Sequence, residues 1–228
     1  MHDAMIDRTI VYMMSFQLEI CCYDLPSALI AQEAGAHRIE LCASPGEGGV
    51  TPSLGMIQTA RELLHIPLYP IIRPRGGDFV FSEEEFRAMQ KDVVLCRHLG
   101  CDGVVIGLLH ADGKPDRKRC ARLIELAYPL GVSFHRAFDR TSDPHAALEE
   151  LIDMGCERVL SSGLQSTAME GAELLHELIR QAQDRIVIMP GSGVRVSNIA
   201  ELAQRTGATE FHSSAYEQTK GMLAILVA

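Results

Sequence analysis

Short runs of aliphatic and β-branched residues alternate along this chain with longer segments whose apolar residues recur at helical spacing. The short runs predict eight strands: Gln17–Cys22, Arg38–Cys42, Leu68–Arg73, Gly103–Leu108, Val132–Arg136, Arg158–Ser161, Arg185–Met189 and Glu210–Ser213. Strands that are separated by helices favour a parallel sheet.

The ends of the helical segments carry recognisable capping residues. Ser82 and Glu85 have the spacing of a capping box at a helix start. Four glycines share a position at the end of a helical segment, shortly before a strand: Gly35, Gly100, Gly155 and Gly207. Their spacing is close to two βα units, and such a repeat favours an even-numbered closed barrel over an open sheet. The Gly-x-Gly-x-x-Gly motif of the open dinucleotide-binding sheet does not follow the first strand.

The chain length fits one (β/α)8 barrel, also called a TIM barrel. Such a barrel typically needs about 250 residues, and the chain has 228. We predict an N-terminal extension over residues 1–14 and one barrel domain over residues 15–228. Only 14 residues follow Ser214, so either the eighth helix is short or incomplete, or a partner subunit completes the barrel wall.

Composition narrows the choice of partner and compartment. The net charge of −9 argues against nucleic acid and anionic membrane surfaces, because both require a basic face. No run approaches the roughly 20 apolar residues of a membrane-spanning helix. The seven cysteines are an odd number without the spacing of a disulfide framework, which indicates reduced thiols and a cytoplasmic location.

Alternation of side chains along the strands predicts which residues face the barrel interior. Glu19 and Cys21 share one face of the first strand, and Glu40 and Cys42 share one face of the second. The aliphatic residues between them suit the side that faces the helices. The same reasoning places four further residues inward near strand ends, where barrel enzymes carry their chemistry: Arg73, His135, Ser161 and His212.

The two interior glutamates have two interpretations. Buried carboxylates are costly unless they are paired, so Glu19 and Glu40 either join a salt-bridge network that fills the barrel or form an acid–base pair with shifted pKa values. In the second case His135 is the candidate for proton transfer, because its unperturbed pKa near 6.5 suits neutral pH. Asp139 completes this set of candidate catalytic residues.

The two interior cysteines have three interpretations. Cys21 and Cys42 lie on neighbouring strands, which run about 4.8 Å apart. Two thiolates at that distance suit a soft ion such as Cu(I), or they form a redox disulfide. Buried small apolar residues with no chemical role are the common alternative for free cysteine.

Several loops at the predicted mouth suit an anion. Arg73 and Arg75 flank a proline in a Gly-rich loop, and guanidinium groups bind oxyanions through bidentate hydrogen bonds. Backbone N–H groups at helix starts bind phosphate, and two segments after the seventh and eighth strands offer them: Gly191-Ser192-Gly193 and His212-Ser213-Ser214. The alternative is a tight glycine turn with no ligand. A Schiff-base aldolase is excluded because no lysine lies on an inward strand position.

Seven sequence blocks identify a resemblance to a known family. They follow one another between Phe16 and Ala215: Leu18–Tyr23, Gly35–Cys42, Glu47–Ser53, Ile71–Phe79, Phe134–Asp139, Ser161–Gly163 and Glu210–Ala215. With these blocks the chain resembles the CutC family of copper-homeostasis proteins.

The resemblance implies a cytoplasmic TIM barrel that forms a homo-oligomer and handles copper. Cys21 and Cys42 match the family cysteines that are held to bind Cu(I), so the first functional hypothesis is Cu(I) binding through these thiolates at the barrel mouth. The second hypothesis is a TIM-barrel enzyme that acts on a small phosphorylated or carboxylated metabolite, because the mouth is rich in Glu, Arg and His.

Overall fold

The computed structural model describes residues 16–226, which form a (β/α)8 barrel. The predicted extension over residues 1–14 lies outside the described residues. The strands, β1 to β8, are Gln17–Cys22, Arg38–Leu41, Leu68–Pro70, Gly103–Ile106, Gly131–Phe134, Arg158–Ser161, Val187–Pro190 and Glu210–Ser213. The helices, α1 to α8, are Leu25–Glu33, Leu54–Leu63, Glu83–His98, Arg117–Ala127, Pro144–Met154, Ala172–Ala182, Ile199–Thr206 and Thr219–Leu226.

All of the strand pairings in the two sheets are parallel. One sheet has the order β3-β2-β1-β8 and the other β4-β5-β6-β7. A parallel bridge between Ile71 and Val105 joins β3 to β4 at one seam, and β7 contacts β8 at the other. The eight strands therefore close into the ring that the sequence predicts.

The third strand is shorter than its sequence pattern predicts. It ends at Pro70 rather than at Arg73, because proline has no N–H to continue a ladder. The chain stays beside its neighbours after that point: the Ile71 N–H donates to Leu41 and the Ile72 N–H donates to Val105. Arg73 is thus carried to the mouth just beyond the regular strand.

Local signals for helix ends match the structure well. Ser82 and Glu85 form the predicted capping box at the start of α3. The four glycines at helix ends all have positive φ, the conformation that glycine adopts at least cost. The eighth helix, Thr219–Leu226, is short as expected and packs on α7 and β1.

The apolar residues form two separate layers. A large layer lies between strands and helices and contains the aliphatic residues of β1 and β2, such as Ile20 and Ile39. A small inner cluster consists of Cys21, Cys42, Tyr69, Ile71 and Val105. The strand alternation read from the sequence therefore sorts inner from outer residues correctly. No helix among residues 16–226 is long and apolar enough to cross a membrane.

Glycine in β4 makes room for an aromatic ring inside the barrel. A Cβ atom at Gly103 would overlap the ring of Tyr69. We expect Gly103→Ala to lower the free energy of unfolding by about 1–3 kcal/mol, the usual cost of overpacking a filled core. Urea denaturation monitored by circular dichroism measures this change as a shift in midpoint at constant m-value.

The matched control is Gly55→Ala in helix α2, where no atom lies within 4 Å of the added Cβ. That variant should be as stable as the wild type or slightly more stable, because alanine is the better helix former. Equal stability of Gly103→Ala and the wild type would show that the Tyr69 ring is not packed as described.

Candidate functional site

The C-terminal ends of the strands surround a cavity of about 270 Å³. Its wall combines sulfur, carboxylate, imidazole and guanidinium groups, from Cys21, Glu40, Arg73, His135, Arg195 and His212. These residues lie in or follow six different strands, so the barrel mouth brings together groups that are far apart in the sequence. The cavity is the candidate functional site.

The two interior cysteines are in direct contact. Cys21 lies near the end of β1 and Cys42 directly after β2, and their Sγ atoms are 3.6 Å apart and share a hydrogen bond. Parallel pairing of Cys21 with Glu40 sets this register. Both thiols are buried and neither forms a disulfide. The distance permits one soft ion to contact both sulfurs, as the sequence-based hypothesis requires.

His212 connects the thiol pair with the two glutamates. Its Nδ1 atom is 2.7 Å from Glu19 Oε1, and its Nε2 atom is 3.6 Å from Glu40 Oε2. Burial opposes protonation of this imidazole, but hydrogen bonds to Cys21 and Glu19 hold the pKa of His212 well above its ordinary value. His212 is therefore a cation between two buried carboxyl groups.

The electrostatics of the two thiols differ. The hydrogen bond from Cys42, assisted by His212, holds the pKa of Cys21 well below its ordinary value although burial opposes ionisation. The same hydrogen bond and burial raise the pKa of Cys42. Cys21 is thus the member of the pair that ionises more readily. Thiolate is the form of cysteine that binds metals.

Glu40 and Glu19 are not equivalent, although they occupy matching sequence patterns. Burial, together with the neighbouring Cys21, raises the pKa of Glu40 well above its usual range. Glu19 is also buried, but the guanidinium of Arg38 and a hydrogen bond from His212 lower its pKa to about 2. Glu19 is a permanent anion within a salt bridge, whereas Glu40 is a protonated acid beside the cavity.

A salt-bridge network fills the barrel below the cavity. Arg38 donates to Glu19 and, at 3.0 Å, to Glu210, and Arg158 donates to Glu210 at 2.8 Å. Both guanidinium groups lie over the ring of Tyr69. The structural interpretation of the glutamate pair therefore applies to Glu19; the sequence placed its partner His212 inward but missed its partner Arg38. Arg38 has the same strand parity as Glu40, and this signal was sufficient to find it.

Two groups of side chains among residues 16–226 have donor atoms close enough for a shared metal ion. One consists of Cys21, Glu40 and Cys42, and the other of Glu19, Glu40 and His212. The second group offers harder donors, and the oxygens of Glu19 already accept from Arg38 and His212. The first group contains the soft sulfur donors that suit Cu(I).

Arg73 and Arg75 differ from the expectation that both grip an anion. Arg73 is buried, and its terminal nitrogens donate to the backbone carbonyls of Glu47, Gly49 and Gly77. It ties the mouth loops together and lines the cavity, and its buried Nε has no hydrogen-bond partner. Arg75 does not line the cavity.

The donors of Arg75 are held elsewhere. Its guanidinium pairs with Asp78 at 2.9 Å and Glu85 at 2.6 Å, and it also donates to the carbonyl of Val80. Asp78 in the same loop and Glu85 in α3 thus pair with this arginine and hold it away from the cavity.

Asp139 is an acceptor that organises a loop. Its carboxylate accepts hydrogen bonds from the hydroxyl of Ser161 at 2.6 Å, from the hydroxyl and N–H of Ser162, from the N–H of Leu164 and from Arg136. A carboxylate with so many partners has little capacity left for a reacting proton. Its position favours a structural role over the catalytic one considered from the sequence.

His135 has one satisfied and one unsatisfied ring nitrogen. Its Nδ1 accepts from the N–H of Ala137 at 3.1 Å, and its buried Nε2 has no hydrogen-bond partner. Burial, reinforced by the charge of Arg73, lowers the pKa of His135 to about 3. The ring packs against Gly107, where any Cβ atom would collide with it.

Some residues of the loops after β7 and β8 line the cavity, and others form hydrogen bonds within the fold. Gly191 donates its N–H to Ser161, and Ser213 bonds through its hydroxyl to Val194 at 2.8 Å, so both are used within the fold. Ser192, Gly193 and Ser214 line the cavity. Arg195 also lines it and was missed from the sequence, because it lies in a loop beyond the seventh strand, outside the reach of strand alternation.

Comparison with known proteins gives one consistent result. The model of the CutC family matches residues 16–217. A family protein CutC of Xylella fastidiosa strain 9a5c is 56% identical over 198 residues, which cover 87% of this chain and 74% of that protein. The human copper homeostasis protein cutC homolog is 48% identical over 200 residues, 88% of this chain and 73% of the human protein.

Solved structures agree with the sequence relatives. A CutC structure from Streptococcus agalactiae superposes with a TM-score of 0.84 at 32% identity and covers 87% of this chain and 98% of that one. Thiamine phosphate pyrophosphorylase from Pyrococcus furiosus has a TM-score of 0.63 at 16% identity, with 94% and 96% of the two chains covered. The second likeness concerns the fold alone.

The buried neutral state of His135 predicts a pH dependence of stability. The unfolded chain binds a proton near pH 6.5, whereas the folded chain does so only near pH 3, so stability falls as the pH drops through this window. At two pH units below 6.5 the loss is about 2–3 kcal/mol. Denaturation of wild type and His135→Phe at several pH values between 4 and 7 measures it.

In His135→Phe this contribution should be absent, so its unfolding free energy should fall less steeply with acid than that of the wild type. The comparison uses the slope and not the absolute stability, which the substitution itself alters. Parallel slopes in the two proteins would contradict a buried neutral imidazole.

Proposed function

The chain belongs to the CutC family, and from this premise we propose that it is a copper homeostasis protein that holds Cu(I) between Cys21 and Cys42 at the mouth of the barrel. The observation that carries the proposal is the 3.6 Å contact between the two reduced, buried sulfurs. Relatives of this chain carry copper homeostasis in their names, and thiolate sulfur is a preferred donor for Cu(I).

The surroundings of the thiols support metal binding. A metal displaces thiol protons, and the lowered pKa of Cys21 reduces the cost of displacing one of the two. His212 lies beside Cys21 and is the residue available as a further, nitrogen donor once its proton leaves. Glu40 is near enough to contribute an oxygen.

The chemistry of the donor set favours Cu(I) over harder ions. Magnesium and calcium prefer several oxygen ligands, and the carboxylate with fixed charge, Glu19, is occupied by Arg38. A structural zinc site normally has four Cys or His ligands, whereas the groups that lie together here offer two sulfurs and one imidazole. A small number of soft sulfur donors suits a monovalent copper ion.

The same proposal places the protein in the cytoplasm. All seven cysteines are free and buried, and thiols persist in this state in a reducing compartment. Copper is the ion that the protein binds in this proposal. A homo-oligomer remains a prediction from the family resemblance. Helix α8 is present in the barrel wall, so a partner subunit is not needed to complete that wall.

Anaerobic Cu(I) titration against a chelator competitor tests the site. Cys21→Ser and Cys42→Ser should each weaken Cu(I) binding by at least about tenfold, which corresponds to about 1.4 kcal/mol, because each removes one of two soft donors. The double variant should compete no better than a protein without a site. Reductant must be present, because the same two sulfurs form a disulfide when an oxidant is available.

Cys22→Ser is the matched control. Cys22 is adjacent to Cys21 and equally buried, but it lies in the layer between strands and helices and does not line the cavity. It should bind Cu(I) as tightly as the wild type. Equal affinity of the wild type and the Cys21→Ser, Cys42→Ser double variant would overturn the proposed function.

A further inference from the structure

Three buried side-chain atoms among residues 16–226 have no hydrogen-bond partner: Arg73 Nε, Ser133 Oγ and His135 Nε2. Arg73 and His135 both line the mouth cavity and are 5% and 4% exposed. Buried polar atoms are nearly always satisfied, and leaving one unpaired costs about 1–3 kcal/mol. Two of these atoms belong to residues that line one cavity, and this pairing points to a ligand.

Both unpaired atoms are donors. The Nε of arginine always carries a hydrogen. The Nδ1 of His135 accepts from the N–H of Ala137, so the single proton of the neutral ring is on Nε2. The group that completes both hydrogen bonds must therefore offer acceptor atoms.

The charge of the cavity wall defines that group further. Arg73, Arg136 and Arg195 line the cavity together with His212, and Glu40 is the one carboxyl group of the lining. Arg195 donates to the carbonyl of Val194 and forms no ion pair with any of residues 16–226. Arg136 is paired with Asp139 through its Nε. A cationic wall in which the guanidinium groups of Arg73 and Arg195 form no ion pair with any of residues 16–226 suits an oxyanion.

The geometry points to an oxyanion subsite in the mouth cavity, in which His135 and Arg195 bind a carboxylate or phosphate group of a small molecule beside the Cys21–Cys42 pair. We propose that His135 donates from Nε2 and that Arg195 supplies the charge. Ser214, which is exposed at the cavity rim, is a further donor. The subsite uses none of the sulfur donors, so it is independent of the proposed copper function.

The position of His135 is built into the fold. It follows β5, its ring packs against Phe79 at 5.0 Å, and the absence of a side chain at Gly107 leaves space for it. A ring that is held in this way does not take up a second proton near neutrality, because the pKa of His135 is about 3. It therefore remains an N–H donor to an anion throughout the neutral range.

Calorimetric titration with inorganic phosphate and with malonate, at constant ionic strength, tests the subsite. His135→Phe and Arg195→Gln should each raise Kd by about tenfold or more, because each loses a hydrogen bond to a charged group. Circular dichroism establishes that each variant is folded. If His135→Phe does not fold, Arg195→Gln alone decides the question, since Arg195 lies in a partly exposed loop.

Two controls separate this proposal from others. Arg75→Gln removes a guanidinium whose donors are held by Asp78 and Glu85 outside the cavity, and it should bind both anions as the wild type does. The Cys21→Ser, Cys42→Ser double variant should also retain anion binding, so failure of the copper site does not affect this test.

The outcomes are distinct. Binding of phosphate alone or of malonate alone, lost in His135→Phe or Arg195→Gln, supports the subsite and assigns its ligand class. Binding that is equal in the wild type and both cavity variants indicates an adventitious surface anion only and overturns the proposal. Absence of binding of either anion to the wild-type protein overturns it as well.

Discussion

The salt bridge between Glu19 and Arg38 is the interaction on which the barrel mouth depends. Both groups are almost wholly buried, and two unpaired charges in that position would prevent the barrel from closing around them. Arg38 binds one oxygen of Glu19, which leaves the other for His212. His212 is thereby fixed and charged beside Cys21. The ion pair thus positions the imidazole that, together with the hydrogen bond to Cys42, lowers the pKa of the Cys21 thiol.

Much of this arrangement could be predicted from residue order alone. Strand alternation placed Glu19, Cys21, Glu40 and Cys42 in the interior, since a parallel barrel assigns every second residue of a strand to the inside. Helix ends followed from glycines and capping residues, whose preferences are local. Such features depend on a few neighbouring residues, so sequence patterns express them directly.

The partners of charged groups could not be predicted in the same way. Arg73 was expected to grip an anion, but backbone carbonyls of two loops hold most of its donors. Asp139 was considered as a catalytic group, but Ser161 and Ser162 hold its oxygens. A sequence shows that an acid or a base is present near a strand end, whereas its role depends on which distant groups the closed ring brings to it.

The remaining unsatisfied groups follow from this competition for partners. Backbone carbonyls of the mouth loops hold the terminal nitrogens of Arg73, and two buried donors without a partner, His135 Nε2 and Arg73 Nε, belong to residues that line the cavity. The two soft donors, Cys21 and Cys42, come from β1 and β2, while these hard donors follow β3 and β5. The sulfur donors and the N–H donors therefore lie on different sides of the same barrel mouth. The residues proposed for the oxyanion, His135 and Arg195, supply no sulfur, and the residues proposed for copper, Cys21 and Cys42, supply no N–H donor, so the two sites are chemically separate although their residues come together at one mouth.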